Sequence, residues 1–221
     1  MRASEDRRAC VDTFYNGIMD KLKRKPVFYV NIALVIMETI ALIYDCYSFG
    51  FGLFKWYTID SNVLKLIVSC FVLFFIMNGK PLPKYVTIMH FISAVCLTVT
   101  FIIAAFVLAP EGGIPYYFLE NVAPINHFLA PLLSVISLLF LEKTEKISMP
   151  VTILWPIAAT LCYGVICLIL NIINVLEGPY FFLRVNEQPI TTVVMWFAII
   201  GVLCALLSLI YYKIKWRKKN K

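Results

Sequence analysis

Charged residues are scarce in this chain, and their scarcity excludes a soluble globular domain. Asp, Glu, Lys and Arg make up 15% of the 221 residues, whereas soluble domains carry roughly one quarter. Apolar residue types together reach 61%. Too few polar residues remain to cover a globule, but a bilayer accepts apolar side chains on the outer face of every helix. The composition therefore predicts an integral membrane protein.

Other absences narrow the class further. The seven cysteines are an odd number with no C-x-x-C pair, so neither a disulfide framework nor a zinc site is expected. Kinase, Walker and dinucleotide motifs are missing, and we expect no cofactor and no metal. Some two dozen polar residues precede the first apolar run, which is unlike a cleaved signal peptide. The first span is expected to act as its own insertion signal.

Six uncharged or nearly uncharged apolar runs have the length of roughly 20 residues that a helix needs to cross a bilayer. The runs are Val27–Tyr47, Thr58–Met77, Tyr85–Ala109, Pro124–Leu141, Val151–Leu176 and Ile190–Tyr212. The fold class predicted is an all-α polytopic membrane protein with six transmembrane helices, and the predicted location is the cell membrane. The chain comprises a leader (1–25), a six-helix domain (26–212) and a basic tail (213–221).

The positions of Lys and Arg predict the orientation, because positive residues beside spans stay cytoplasmic. Seventeen of the 20 lie in the leader, the tail and the second and fourth connections, and the exceptions are Lys55, Lys65 and Arg184. Both termini are therefore predicted to be cytoplasmic. The net charge of +7 is explained by this asymmetry and by attraction to anionic lipid, without nucleic acid as a partner.

The leader has an apolar periodicity of its own. Its apolar residues recur at helical spacing, and they are Val11, Phe14, Tyr15, Ile18, Met19 and Leu22. This pattern favours an amphipathic helix on the inner membrane surface. A disordered basic leader is the alternative.

Polar residues inside the spans are costly in lipid and usually face the bundle interior. Glu38 and Lys65 lie at similar depth, which predicts a buried ion pair. Nearer the outer helix ends, a group of polar residues is expected to line an amphiphilic cavity and bind substrate. These residues are Asp45, Asp60, Ser61, Asn62, Asn126, Asn171 and Asn174.

Two short motifs resemble those of a known family. The segment from Thr58 to Asn62 resembles a Thr-x-x-Ser-Asn motif, and the segment from Asn126 to Pro131 places a His shortly before a Pro. Both are similar to motifs of the androgen-induced protein family of six-helix membrane proteins, described as threonine-type hydrolases of fatty acid esters of hydroxy fatty acids. The Asp60-Ser61-Asn62 context resembles the bacterial branch of that family.

The resemblance implies that Thr58 is the nucleophile and His127 the base, with a membrane lipid or lipid-like ester as substrate. A threonine hydroxyl becomes nucleophilic when a base within hydrogen-bond reach takes its proton. Asn62 or Asn126, with the first amides of the second helix, are expected to stabilise an oxyanion. Asp60 or Asp45 is expected to orient the imidazole.

Each of these residues also has a structural interpretation. Thr58 suits a helix N-cap, and His127 suits a hydrogen-bonded structural group. Two rival functions stay open beside hydrolysis: a small-molecule-binding membrane subunit of a transporter and a non-catalytic membrane protein. The sequence sets neither the substrate nor the oligomeric state.

Overall fold

The computed structural model describes the backbone of residues 2–217 and the side chains of residues 25–217. Within this part the chain forms six long helical segments and no strand. The segments are α1 (Arg2–Phe49), α2 (Tyr57–Met77), α3 (Lys84–Ile103), α4 (Ile125–Leu141), α5 (Met149–Ile172) and α6 (Ile190–Lys215). The all-α prediction is thereby confirmed for the described residues.

Five helices are long and apolar enough to cross a membrane. The span in α1 begins at Lys25, and α3 is lengthened beyond Ile103 by a π turn and a short helix that ends at Gly112. The fourth predicted span corresponds to α4, which is apolar but shorter than the other five. An all-α membrane protein is consistent with these lengths.

The predicted leader does not form a separate helix. Helix α1 begins at Arg2 and continues through Pro26 into the first span. The side chains up to Arg24 lie outside the described residues, so the amphipathic face predicted for residues 1–25 stays a prediction. Of the tail at 213–221, Lys213 and Lys215 form the last turn of α6, and residues 218–221 lie outside the description.

Local sequence explains where the helices end. Helix α2 ends at Met77, and Gly79 then adopts the left-handed conformation with φ +67°. The Lys80 N–H donates to the Phe75 carbonyl and the Gly79 N–H to that of Ile76. This is a Schellman motif, in which glycine is favoured because it has no Cβ.

Two π turns each end at the leucine of the same tripeptide, Leu-Ala-Pro. The first covers Ala104–Leu108 and is followed by Pro110, and the second covers Ile125–Leu129 and is followed by Pro131. In each case the alanine N–H donates to the carbonyl five residues earlier. Proline has no N–H for the usual α-helical bond and its ring crowds the preceding turn. Each proline therefore explains the wider turn before it.

Helix α3 lies at the centre of the bundle. It packs against α2, α4, α5 and α6, and 50% of its most apolar stretch is buried, compared with 17% in α5 and in α6. The outer faces of α5 and α6 are correspondingly apolar and exposed, with Leu154, Ile166 and Val202 as examples. Exposed apolar side chains of this kind suit contact with lipid.

Close packing between α5 and α6 occurs at Gly164. A Cβ at this position would lie 3.0 Å from Cζ of Phe197. The small-residue spacing of Gly201 and Ala205 also suggests helix packing, but a Cβ on Gly201 would meet only Leu161 Cδ1, at 3.8 Å. Of these two glycines, Gly164 therefore has the closer contact across the interface.

Alanine substitutions at the two glycines should separate packing from helix propensity. Either change improves intrinsic helix propensity by about 1 kcal/mol. Gly201→Ala should raise the thermal midpoint, because the new methyl group makes an ordinary contact. Gly164→Ala should not raise the thermal midpoint, because Phe197 must move to make room for the new methyl group. Adding Phe197→Leu to Gly164→Ala should restore the increase in the midpoint. Equal midpoints for the two alanine variants would contradict this packing.

Candidate active site

A cleft of about 460 Å³ opens at the end of the bundle where α1 ends and α2 begins. It brings together four of the predicted site residues, namely Asp45, Thr58, Asn126 and His127. The connections between helices contribute further charged groups, which are Glu111, Glu120 and Arg184. These polar and charged groups therefore meet in one cleft at this end of the bundle.

Thr58 and His127 lie next to each other in this cleft. The distance from Thr58 Oγ1 to His127 Nε2 is 3.4 Å. The π turn that holds His127 packs under Tyr117 and Phe118, whose ring centroids lie 5.8 Å and 6.0 Å from the imidazole. Hydrogen bonds of catalytic pairs are often long before substrate binds. The geometry therefore permits proton transfer from the hydroxyl to the imidazole.

Thr58 does not cap its helix. Helix α2 begins at Tyr57, and its N-cap is Trp56, which makes no side-chain capping bond. Thr58 is the second helical residue, and its hydroxyl contacts His127. The N-cap interpretation of Thr58 is therefore wrong, because an N-cap residue must precede the helix.

Asn62 connects the two candidate catalytic segments. Its side-chain amide donates to the Thr58 carbonyl at 2.8 Å and to the Asn126 carbonyl at 3.2 Å. Asn126 in turn donates to Asp45 Oδ2 at 2.9 Å. Both N–H groups of Asn62 are used in these bonds, so the prediction that Asn62 stabilises an oxyanion is wrong. Asn126 retains one N–H.

Neither predicted carboxylate orients His127. Nδ1 of the imidazole is buried and has no hydrogen-bond partner among the described residues. Asp45 accepts from Asn126 instead. Asp60 lies on the other flank of α2, in a groove that also contains Lys55. Residue spacing predicts how deep a side chain lies along its helix, and by depth both acids lie near the histidine. Spacing does not predict which neighbouring helix a side chain faces.

The other predicted substrate-binding residues have structural contacts. Ser61 donates to the Thr58 carbonyl at 2.9 Å and lies 3.0 Å from the Thr100 hydroxyl. Asn171 accepts from the Val185 N–H at 2.8 Å and donates to the Leu176 carbonyl at 3.1 Å. Asn174 accepts from the Asn186 amide at 3.3 Å. Asn171 and Asn174 therefore fix the connection between α5 and α6.

A second, narrow pocket lies on the inner side of Thr58. It is enclosed by α2, α3, α5 and α6, and its lining is almost entirely apolar, for example Val99, Ile103 and Leu183. Thr58 and Tyr180 line both this pocket and the polar cleft. The hydroxyl of Thr58 thus lies at the boundary between a polar and an apolar space.

The sequence did not single out Tyr180 as a site residue. Its position after Gly178 and Pro179 is typical of an interfacial aromatic residue. In the structure its ring stacks on Phe182, with centroids 5.2 Å apart. Enclosure by the connection raises the pKa of Tyr180 to about 12, so the phenol keeps its proton and can donate a hydrogen bond.

The ion pair predicted between Glu38 and Lys65 is not formed. Both side chains are buried, but among the described residues there is no ion pair between them. Lys65 Nζ instead contacts His90 Nε2 at 2.5 Å. The opposite nitrogen, His90 Nδ1, lies 2.7 Å from Glu142 Oε2. The partner of Lys65 comes from α3. Residue spacing alone does not predict which residues of α3 lie at the same depth as Lys65 in α2.

Glu142 anchors this buried chain of polar groups. Ser137 donates to Glu142 Oε1 at 2.7 Å, and Asn31 donates to the Ser137 hydroxyl at 3.1 Å. Burial by itself raises the pKa of Glu142, but His90, Lys65 and the Ser137 bond outweigh burial and hold it at about 2. The carboxylate therefore stabilises the fold above its ordinary pKa, and this contribution is lost as the pH falls toward about 2.

Comparison of the chain with protein-family models, curated proteins and solved structures finds no match.

A double-mutant cycle should show the strength of the buried chain. His90→Ala and Glu142→Ala should each cost about 3 to 5 kcal/mol, because either change leaves a buried charge without its partner. The double variant should lose less than the sum by about 1 to 3 kcal/mol. The matched control is the exposed pair Lys84 and Glu145, which lie 3.3 Å apart and should show almost no coupling. Additive losses at His90 and Glu142 would exclude the contact.

Proposed function

We propose that this protein is a membrane-embedded hydrolase of a lipid-like fatty acid ester, with Thr58 as nucleophile and His127 as general base. The observation that carries the proposal is the 3.4 Å approach of Thr58 Oγ1 to His127 Nε2, at the boundary between the polar cleft and the apolar pocket. Membership of the androgen-induced protein family is part of the same proposal and rests on the two motifs.

The reaction is acyl transfer in two steps. The Thr58 hydroxyl attacks the ester carbonyl carbon while its proton moves to His127 Nε2. Collapse of the tetrahedral intermediate breaks the bond to the alkoxide oxygen, which takes the proton from His127 and leaves as the alcohol. Water then attacks the acyl-threonine with His127 again as base, which releases the fatty acid and regenerates Thr58.

Three donors beside Thr58 suit the oxyanion. The N–H groups of Tyr57 and Thr58 precede the first backbone hydrogen bond of α2, which Ile59 donates to Trp56. Such amides at a helix start point toward an anion, and the helix dipole favours negative charge there. The Tyr180 hydroxyl is the third donor, because it lines the same two spaces as Thr58.

The two spaces suggest how an ester binds. The apolar pocket suits a hydrocarbon chain, and the charged cleft suits the alcohol portion and the departing carboxylate, with Arg184 on its wall. A substrate with one apolar and one polar part therefore presents its ester group at Thr58. Entry from the surrounding lipid fits the apolar outer surface of the helices.

We also propose that the protein lies in the cell membrane and crosses it six times, with both termini in the cytoplasm. Contacts at one end of the bundle support this topology, because Lys84 pairs with Glu145 and Lys146 lies over the Tyr212 ring. The basic connections and the end of α6 thus meet at one side, where anionic lipid is the expected partner. The candidate cleft lies at the opposite end.

The first test measures hydrolysis of long-chain esters by purified protein. Thr58→Ala and His127→Ala should each lower kcat about 10³-fold or more, and the double variant should be no worse than either single variant, because the two groups act as a unit. Tyr180→Phe should lower kcat about 10²-fold while it keeps the ring stacked on Phe182.

A hydroxyl-directed acylating probe provides the control for the nucleophile. It should label wild-type protein at Thr58 and fail on Thr58→Ala. Ser61→Ala is the matched control, since its hydroxyl lies one turn further along α2 and already donates to the Thr58 carbonyl. Labelling that persists in Thr58→Ala but is lost in Ser61→Ala would move the nucleophile. Absence of labelling and turnover, with tight binding of a small ligand, would favour a transporter subunit.

Reporter fusions test the topology. Fusions after Gly113 and Glu187 should report the outside, and a fusion after Lys146 should report the cytoplasm, because positive residues beside spans stay inside. A cytoplasmic signal at Gly113 would reverse the orientation of the cleft.

A further inference from the structure

A small cavity lies between α1, α2 and α4, separate from the apolar pocket at Thr58. Its volume is about 10 Å³, and its polar lining consists of Glu38, Asp45, Asn62 and Asn126. All four side chains are buried. About 10 to 15 Å³ is the space of one small particle such as a water molecule.

Two oxygens that belong to this lining have no hydrogen-bond partner. Glu38 Oε1 and Asn62 Oδ1 are both buried, and neither has a partner among the described residues. The orientation of the Asn62 amide is fixed, because its nitrogen donates to the Thr58 and Asn126 carbonyls. Buried acceptors without donors cost free energy, so a cationic or donor group is expected beside them.

Two of the buried carboxylates have no cation in contact with them among the described residues. Three carboxylates are buried, those of Glu38, Asp45 and Glu142. Lys65 and His90 supply one positive charge between them, because nitrogens 2.5 Å apart cannot both point a proton at the other. Lys215 supplies a second, through contacts with the Leu138 and Glu142 carbonyls. Both positive charges lie on the side of Glu142, and among the described residues neither Glu38 nor Asp45 forms an ion pair.

We propose that this cavity binds a sodium ion, coordinated by oxygens of Glu38, Asp45 and Asn62. A hard monovalent cation prefers carboxylate and amide oxygens, as the hard divalent cations do. One such ion can satisfy both unpartnered acceptors and give the two carboxylates a cationic partner. The small size of the cavity favours sodium over the larger potassium ion.

The ion stabilises the region around the candidate active site. Asn62 is a ligand on its oxygen side and holds the Thr58 and Asn126 carbonyls on its nitrogen side. Asp45 is likewise shared with Asn126. Sodium binding therefore joins α1, α2 and α4 at one point. This role goes beyond hydrolysis and holds whether or not an ester is the substrate.

The test is the thermal midpoint of the purified full-length protein in detergent, with sodium chloride replacing choline chloride at constant ionic strength and pH. Unfolding can be followed with a maleimide dye, because Cys96 and Cys204 are free and buried. The midpoint should rise with the logarithm of the sodium concentration above Kd, by roughly 5 to 10 °C at a concentration about a hundredfold above Kd. Potassium should give a markedly smaller rise.

Variants locate the effect. Glu38→Gln should abolish the sodium response, because it removes the charge of a proposed ligand. Glu120→Gln is the matched control, since Glu120 is an exposed carboxylate of the neighbouring cleft, and it should keep the full response. An unchanged response in Glu38→Gln overturns the proposed site.

A measurement on wild-type protein covers the case in which Glu38→Gln does not fold. A hydrophobic carbodiimide modifies buried protonated carboxyl groups, and peptide mass spectrometry gives the rate at Glu38. Sodium should slow this labelling several-fold, whereas choline should not change it. A labelling rate that depends on pH but not on sodium would show that a proton alone occupies the site, and it would overturn the proposal.

Discussion

The side-chain amide of Asn62 holds the outer half of the bundle in its observed arrangement. Its two N–H groups join the Thr58 carbonyl of α2 to the Asn126 carbonyl of α4. His127 follows Asn126 directly, and Thr58 lies one turn before Asn62, so this amide helps to hold the hydroxyl and the imidazole near each other. No water competes for such bonds inside a membrane. The geometry of the candidate site is therefore a consequence of how a buried amide is satisfied.

The interior of the bundle is divided between a polar and an apolar side. Buried polar groups connect α1, α2, α3 and α4, from Asp45 near the cleft to Glu142 at the other end. The apolar pocket lies where α5 and α6 meet α2 and α3. Thr58 belongs to both sides. A lipid-like ester has the same division within one molecule, which is why the position of Thr58 matters more to the proposal than its identity as a threonine.

Periodicity in the sequence predicted the helices and the face of each helix that carries polar residues. Asp45, Asn62 and Asn126 meet as expected, because each lies at the outer end of a polar stripe. The partner of Lys65 could not be predicted in this way. His90 and Glu142 come from α3 and from the residue that follows α4, and only the tertiary packing brings them to Lys65.

Connections between helices were the least predictable part. Asn171 and Asn174 have the spacing of a polar helix face, but a connection follows them instead of a further helical turn. Asn171 binds the backbone of this connection, and Asn174 accepts from the Asn186 side chain. Tyr180 belongs to that connection, and its place beside Thr58 follows from the path of the chain after Gly178. Periodicity carries no information about such a path, because the residues there are not on a regular helix.

The proline after His127 links local sequence to the candidate chemistry. Pro131 has no N–H to donate to the His127 carbonyl, and the Ala130 N–H bonds to Ile125 instead, which makes a π turn. A π turn contains one residue more than an α turn, so the side chains before it are rotated by about 100° relative to a regular helix. His127 lies within this turn and faces Thr58, with its own carbonyl relieved of an α-helical partner. The Leu108-Ala109-Pro110 segment makes the same turn without a histidine. In both segments the proline favours the π turn, although the π turn at Ser137–Leu141 forms without one. The residue within the turn decides whether it contributes to a site.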